Sequence, residues 1–271
     1  MTWIDALPAN RRRGSYPRCL LLMQGGREPV AERLTKLVAI AGVSVSADDR
    51  WMPTGIPALV APGRWDLAPA QEARLGESDG FLTPEKRQQV TDWWLEVVAK
   101  ANTPNWDVAS TCRIGGKPGL VLVEAKAHAA ELSSAAKPSP STPNGEKNDR
   151  RTRDAMAEAN GALNRILPGW RLSCDSHYQM ANRFAWAWKL ASIGVPVVLM
   201  YLGFTRAAEM ADRGDPFADG TSWEKTVREH SAGIAPPSVW ESPMRVGDAS
   251  IACCIRSTEI SLPVRDAGGT L

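Results

Sequence analysis

The chain holds 271 residues, 44% of them apolar and 23% charged, with a formal net charge of +2. Such a balance belongs to a folded globular protein and excludes a wholly disordered or fibrous chain, and the length suits one large domain with a sizeable core. Near-neutrality leaves no molecule-wide field to hold a polyanion, so a nucleic-acid surface would have to be local, at Arg11-Arg12-Arg13 with Arg18 or at Lys147, Arg150, Arg151 and Arg153.

Residues 1–13 lack the apolar stretch of a signal peptide, and no run approaches the roughly 18 apolar residues of a membrane span. Residues 18–23 read as a short buried strand closed by Gln24-Gly25-Gly26, and a helix is expected from residue 29 to about 41, with Pro29 in its first turn. Residues 43–83 are rich in proline and glycine with little periodicity, an irregular connection carrying one short strand at Ala58-Leu59-Val60. Thr83-Pro84-Glu85 starts a helix by cap, proline and first-turn acid, and Val90, Trp93, Trp94, Val97, Val98 and Ala101 continue it at helical spacing over 84–101. Two strands, 107–113 and 119–126, flank Gly115-Gly116 and form a hairpin. The Ser-, Pro- and Lys-rich stretch 133–149 reads as a mobile excursion, followed by a helix over 149–167 that Pro168-Gly169 ends. A helix over 176–193 then leads into the apolar run 195–204, the kind of strand buried inside a sheet, and a last strand is expected at 250–257. Five scattered cysteines, two of them adjacent, suggest neither a disulfide framework nor a spaced zinc set, which points to a reducing, cytoplasmic setting.

Chemistry concentrates at Leu120-Val121-Leu122-Val123-Glu124-Ala125-Lys126. Alternation puts Leu120, Leu122, Glu124 and Lys126 on one face and Val121, Val123 and Ala125 on the other, so one face runs from core into charge. Antiparallel pairing brings the end of this strand beside the start of its partner, where Asp107 stands. Two carboxylates so placed repel unless a cation lies between them. Oxygen ligands from Asp107 and Glu124, with the backbone carbonyl of Ala125, suit Mg²⁺ or Mn²⁺, water and a substrate phosphate completing the shell.

This order of elements and residues resembles the PD-(D/E)XK, or restriction-endonuclease-like, nuclease superfamily. The resemblance implies an α/β fold, a three-layer α/β/α restriction-endonuclease-like core with a central mixed sheet over residues 84–204, flanked by an N-terminal extension (1–83) and a C-terminal extension (205–271). It implies that Asp107 is the motif's first acid, Glu124 its second and Lys126 its lysine. Trp106 stands where the motif usually has proline, and the third strand of the family's meander is not located in the sequence. Gln179 and Arg183, four apart on one helix face, resemble the Gln-x-x-x-Arg or Gln-x-x-x-aromatic element of some of these nucleases, which would hydrogen-bond a catalytic carboxylate or grip a phosphate. The implied activity is Mg²⁺- or Mn²⁺-dependent hydrolysis of phosphodiester bonds in DNA; cutting both strands with one site per chain would take a homodimer, and the sequence leaves the oligomeric state open.

Blander readings stand beside these. A lone Glu-x-Lys is equally a surface ion pair worth about 0–1 kcal/mol, and only the joint pattern with Asp107 and the following helix and strand points to a site. His128 extends the alternation and is either a base or a bystander at the strand end. Glu131 is a candidate for a further acid near the metal. Glu96 belongs to a solvated stripe with Glu85, Gln89 and Asp92. Arg150, Arg151 and Arg153 begin a helix, where positive charge opposes the macrodipole; they suit phosphate contact or a plain solvated face. The alternative function is a catalytically inactive protein of this fold that binds nucleic acid or a protein partner, needing neither metal nor Asp107.

Overall fold

The computed structural model describes residues 2–263. Among them are seven α-helices: α1 (Trp3–Ala6), α2 (Ser15–Leu22), α3 (Arg27–Val38), α4 (Pro84–Trp94), α5 (Pro143–Ile166), α6 (Tyr178–Ser192) and α7 (Gly220–Ser231). The strands are β1 (Val43–Ser44), β2 (Trp51–Met52), β3 (Ala58–Ala61), β4 (Arg64–Asp66), β5 (Ala73–Arg74), β6 (Asn105–Trp106), β7 (Val108–Ile114), β8 (Lys117–Lys126), β9 (Val197–Thr205), β10 (Met244–Val246) and β11 (Ala249–Glu259).

The fold is mixed α/β, built on one curled sheet in the order β1–β7–β8–β9–β11–β10, with β2 sharing the outer edge of β7 with β1. Gly115 and Gly116, both at positive φ (56° and 78°), make the two-residue turn between β7 and β8, where Ile114 pairs with Lys117. A turn of that hand matches the twist of a hairpin, and glycine takes it without strain. β9 lies parallel to both β8 and β11, buried along its whole length, as its unbroken apolar sequence requires.

Alternate side chains of β8 enter two separate cores. Leu120 and Leu122 join residues of α4, α5, α6 and α7, whereas Val121, Val123 and Ala125 join residues of α2 and α3. Helices therefore cover both faces, and each fully buried aliphatic side chain contributes about 1.5–3 kcal/mol relative to exposure.

Several expectations need correction. Residues 18–23 lie mostly in helix α2 instead of forming a strand. Five consecutive apolar residues carry no period of their own, and the buried Arg18 sets the helix by bonding Gly14 O, Ile260 O and Glu209. α4 stops at Trp94, short of 101, because the Asn148 side chain accepts from the Glu96 and Val97 N–H groups and donates to Val97 O. Part of the expected mobile excursion 133–149 is the start of α5, capped by Thr142 with Pro143 at its first position. The rest runs along the start of α6, with Ser134 O accepting from His177 N, Ala135 O from Tyr178 N, and Lys137 paired with Asp149. The main sheet takes β1 and β2 from residues 1–83 and β10 and β11 from the described part of residues 205–271, so both extensions add strands to it. Residues 264–271 lie outside the described residues. Among the described residues no helix is long and apolar enough to cross a membrane.

Candidate active site

The face of β8 that carries Leu120 and Leu122 into the first core ends on Glu124 and Lys126, both buried. Val108 pairs with Val123, which puts Asp107, just before β7, beside the end of β8. Its Oδ2 accepts from Ala125 N–H at 2.7 Å, so the carboxylate closes the hairpin where the main-chain ladder stops. On the other side of β8, Lys126 pairs with Gly203 of β9, where a Cβ would fall 2.5 Å from the Trp223 ring of α7. Only glycine lets that tryptophan cover the sheet beside Lys126.

Glu124 is held from two directions. Lys126 Nζ donates to Oε1 at 2.5 Å, and Arg183 Nε of α6 donates to Oε2 at 2.6 Å. The Arg183 guanidinium lies 4.5 Å from the centre of the buried Trp106 ring, and its Nη1 donates to Asn182 Oδ1 at 3.0 Å. Trp106 is thus the platform on which the arginine rests.

Electrostatics separate the two acids. Burial opposes charge on Glu124, but Arg183 and Lys126 outweigh it and hold its pKa below the ordinary value. Burial also opposes charge on Lys126, and Glu124 and Asp107 overcome it, keeping the ammonium protonated. Asp107 has no such support. Burial and then the charge of Glu124 push its pKa up to about 7, against the smaller opposing influence of Lys126. Both nearby cations are spent on Glu124, and Asp107 is left short of positive charge.

Among the described residues no group of three His, Cys, Asp or Glu side chains is placed to hold a metal ion. A divalent cation would draw on Asp107, Glu124, the Ala125 carbonyl and water, an all-oxygen and incomplete set of the kind Mg²⁺ accepts. Asp107, with one oxygen bonded only to a backbone N–H and a charge deficit beside it, fits that role. Glu124 fits it if Lys126 or Arg183 releases one oxygen.

The remaining predicted residues fall into place unevenly. Gln179 lines a cavity of about 460 Å³ together with Arg183. His128, past the end of β8, is buried, with Nε2 3.8 Å from Glu131 Oε1 and with Nδ1 unpartnered. Glu131 Oε2 accepts from Ala127 N–H at 2.6 Å, and its charge adds to the field that keeps Lys126 protonated. The arginine cluster is largely committed to the protein itself. Arg151 donates twice to Asp92 O at the end of α4, and Arg153 pairs with Asp149 and Asp175, while Arg150 is exposed without a protein partner. Glu96 is exposed, as its stripe implies.

Sequence reasoning missed His177 and His230. Their rings meet edge to face at 4.7 Å, and burial, then His177, then Lys126 lower the His230 pKa to about 4. The chain has three histidines, and that scarcity was the signal available. Asn182, three residues after Gln179 on α6, could have been found by the same helical spacing that links Gln179 to Arg183.

No protein family, curated protein or solved structure matches this chain. The reading of the site therefore rests on its own residues and geometry.

Proposed function

We propose that this protein is a metal-dependent nuclease of the PD-(D/E)XK, restriction-endonuclease-like type that hydrolyses phosphodiester bonds in DNA. The observation that carries the reading is the meeting of Asp107 with Glu124 and Lys126 at the abutting ends of β7 and β8, with Arg183 of α6 locked onto Glu124. The order of elements supports it in an amended form. Helix α3, the edge strand β1/β2, the hairpin β7–β8, helix α6 and the parallel strand β9 follow the family's helix, three-strand meander, helix and strand. On that assignment the first helix is α3, on the sheet face opposite α6, and α4 is part of an insertion.

Bound Mg²⁺ or Mn²⁺ would polarise the phosphoryl group and lower the pKa of a coordinated water. Lys126, kept charged, donates a hydrogen bond to the attacking water or to the oxygens on which negative charge develops at phosphorus. Arg183 fixes the rotamer of Glu124, and Trp106 fixes Arg183. Attack forms a new P–O bond to the water oxygen and breaks the bond to the leaving sugar oxygen, which takes up a proton. A homodimer would bring one such site to each strand of a duplex.

The test is cleavage of supercoiled plasmid and of single-stranded DNA by the purified protein with Mg²⁺, Mn²⁺ or EDTA. Metal-dependent cleavage is expected, at least about 100-fold slower in Glu124→Ala and Lys126→Ala; cleavage undiminished in both variants would end the proposal. One observation favours a second reading. Both Glu124 oxygens are already engaged by buried cations, as in a closed structural ion triad, which suits an inactive member of this fold that binds nucleic acid or a protein partner. On that reading DNA is bound equally in EDTA and never cut.

A further inference from the structure

The cavity beside Arg183 has a chemistry that the hydrolytic site does not use. It measures about 460 Å³, within the range of small-molecule sites, and is too small for a duplex. Its wall includes Trp94 and Tyr178, its rim the exposed Ala135 and Ala136, and none of its lining residues is Asp or Glu. Gln179 and Asn102 line it with side-chain amides that have no protein partner. The Arg183 guanidinium, buried, spends Nε on Glu124 and Nη1 on Asn182, which leaves Nη2 for an occupant. One guanidinium therefore touches the candidate catalytic carboxylate and the cavity at once.

Aromatic walls, amide groups that both donate and accept, a single cationic donor and no carboxylate are the requirements of a planar, neutral ring edged with acceptors and donors. A nucleobase out of its stack is such a ring, and enzymes that hold one read its edge with amides while aromatic side chains cover its face. We infer that this cavity binds the base of an unpaired nucleotide next to the scissile phosphate, so that the substrate is single-stranded, frayed or otherwise unstacked at the point of cleavage. The inference rests on the nuclease reading for its adjacency to a scissile bond, and on the cavity alone for the base. Arg183 would couple the two, since a base hydrogen-bonded to Nη2 holds the guanidinium that orients Glu124.

The test uses the full chain and two readouts. In EDTA, 2-aminopurine riboside monophosphate is titrated against wild type and against Ala136→Phe, which fills the cavity from an exposed position and so spares the core; equal thermal melts check the fold. Saturable binding by wild type, weakened at least tenfold in the variant, is expected. With Mn²⁺, cleavage of a single-stranded oligonucleotide should exceed that of its perfect duplex at least tenfold, and Ala136→Phe should lose most of that preference. No saturable nucleotide binding, or equal binding by both proteins, overturns the inference even if DNA is cut. Nucleotide binding without cleavage under any metal leaves the pocket standing and removes the nuclease reading.

Discussion

Two arginines are buried among the described residues, and they do different things. Arg18 of α2 bonds Gly14 O, Ile260 O and both oxygens of Glu209, so every charge it meets is answered. Burial raises the Glu209 pKa, the bonds from Arg18 more than reverse that, and the carboxylate sits below its ordinary value. Arg183 of α6 also holds a carboxylate, but the arrangement around it leaves Asp107 short of a cation and one guanidinium nitrogen unused. A buried cation whose surroundings balance is a clamp. One whose surroundings leave an acid without a cation at the end of a strand is the imbalance on which the proposed site rests, since such an arrangement costs stability.

The comparison breaks first at Lys126. Lys126→Ala should slow cleavage by about 100- to 1000-fold, the loss typical of a donor aimed at developing charge, measured as the initial rate on plasmid. Arg18→Ala should cost about 1–3 kcal/mol of stability, because the buried guanidinium's bonds to Gly14 O, Ile260 O and the partly exposed Glu209 are lost and the join between α2 and the chain after β11 opens. Its cleavage rate per folded molecule should stay at the wild-type level; an equal loss of rate would put Arg18 in the site and erase the contrast.

Asp107→Asn sharpens the contrast in the opposite direction. The folded pKa of Asp107 is about 7, above an unfolded value near 4, so the folded state binds the extra proton between those limits. Stability contributed by this group is complete below about pH 4 and is lost as pH rises through about 7. Asparagine removes that loss and still accepts from Ala125 N–H. The metal-free variant should therefore melt a few degrees above wild type at pH 7.5, on the order of 1 kcal/mol, and about level with it at pH 4.5. A melting temperature below wild type at pH 7.5 would mean that Asp107 is satisfied within the fold.

The smallest effect is expected at the surface. Arg150→Gln should lower the slope of log DNA affinity against log salt by about 1, whereas Arg151→Gln, whose side chain is held by Asp92 O, should leave the slope nearly unchanged. Equal slopes for both variants would remove this helix from the DNA-binding surface.

Much of this arrangement was legible before folding, and the parts that were not share a cause. The hairpin was readable because Gly115-Gly116 sits between two alternating runs, and β9 because its apolar run is unbroken. Thr83-Pro84 announced α4, whereas the same pair at Thr142-Pro143 was hidden by the Ser-, Pro- and Lys-rich composition around it. The strand segments at the edge of the sheet beside β7 were invisible because they come in two short pieces, Val43–Ser44 and Trp51–Met52, with mostly polar residues between them. Residues 18–23 misled because what makes them a helix is Arg18, whose partners Glu209 and Ile260 lie far along the chain. At the site, Asp107, Glu124 and Lys126 were brought together by the hairpin and its alternation, whereas Arg183 was singled out only by the family resemblance. The role of Trp106, the histidine pair and the cavity beside Arg183 were not legible, since each exists only when α6 and α7 pack against the sheet.

The most direct measurement is plasmid cleavage by Asp107→Asn beside wild type in Mg²⁺ and in Mn²⁺, with the folded fraction of each fixed by its thermal melt. The account predicts a variant at least as stable as wild type that cuts nothing. A well-folded Asp107→Asn protein that cuts at the wild-type rate would contradict it.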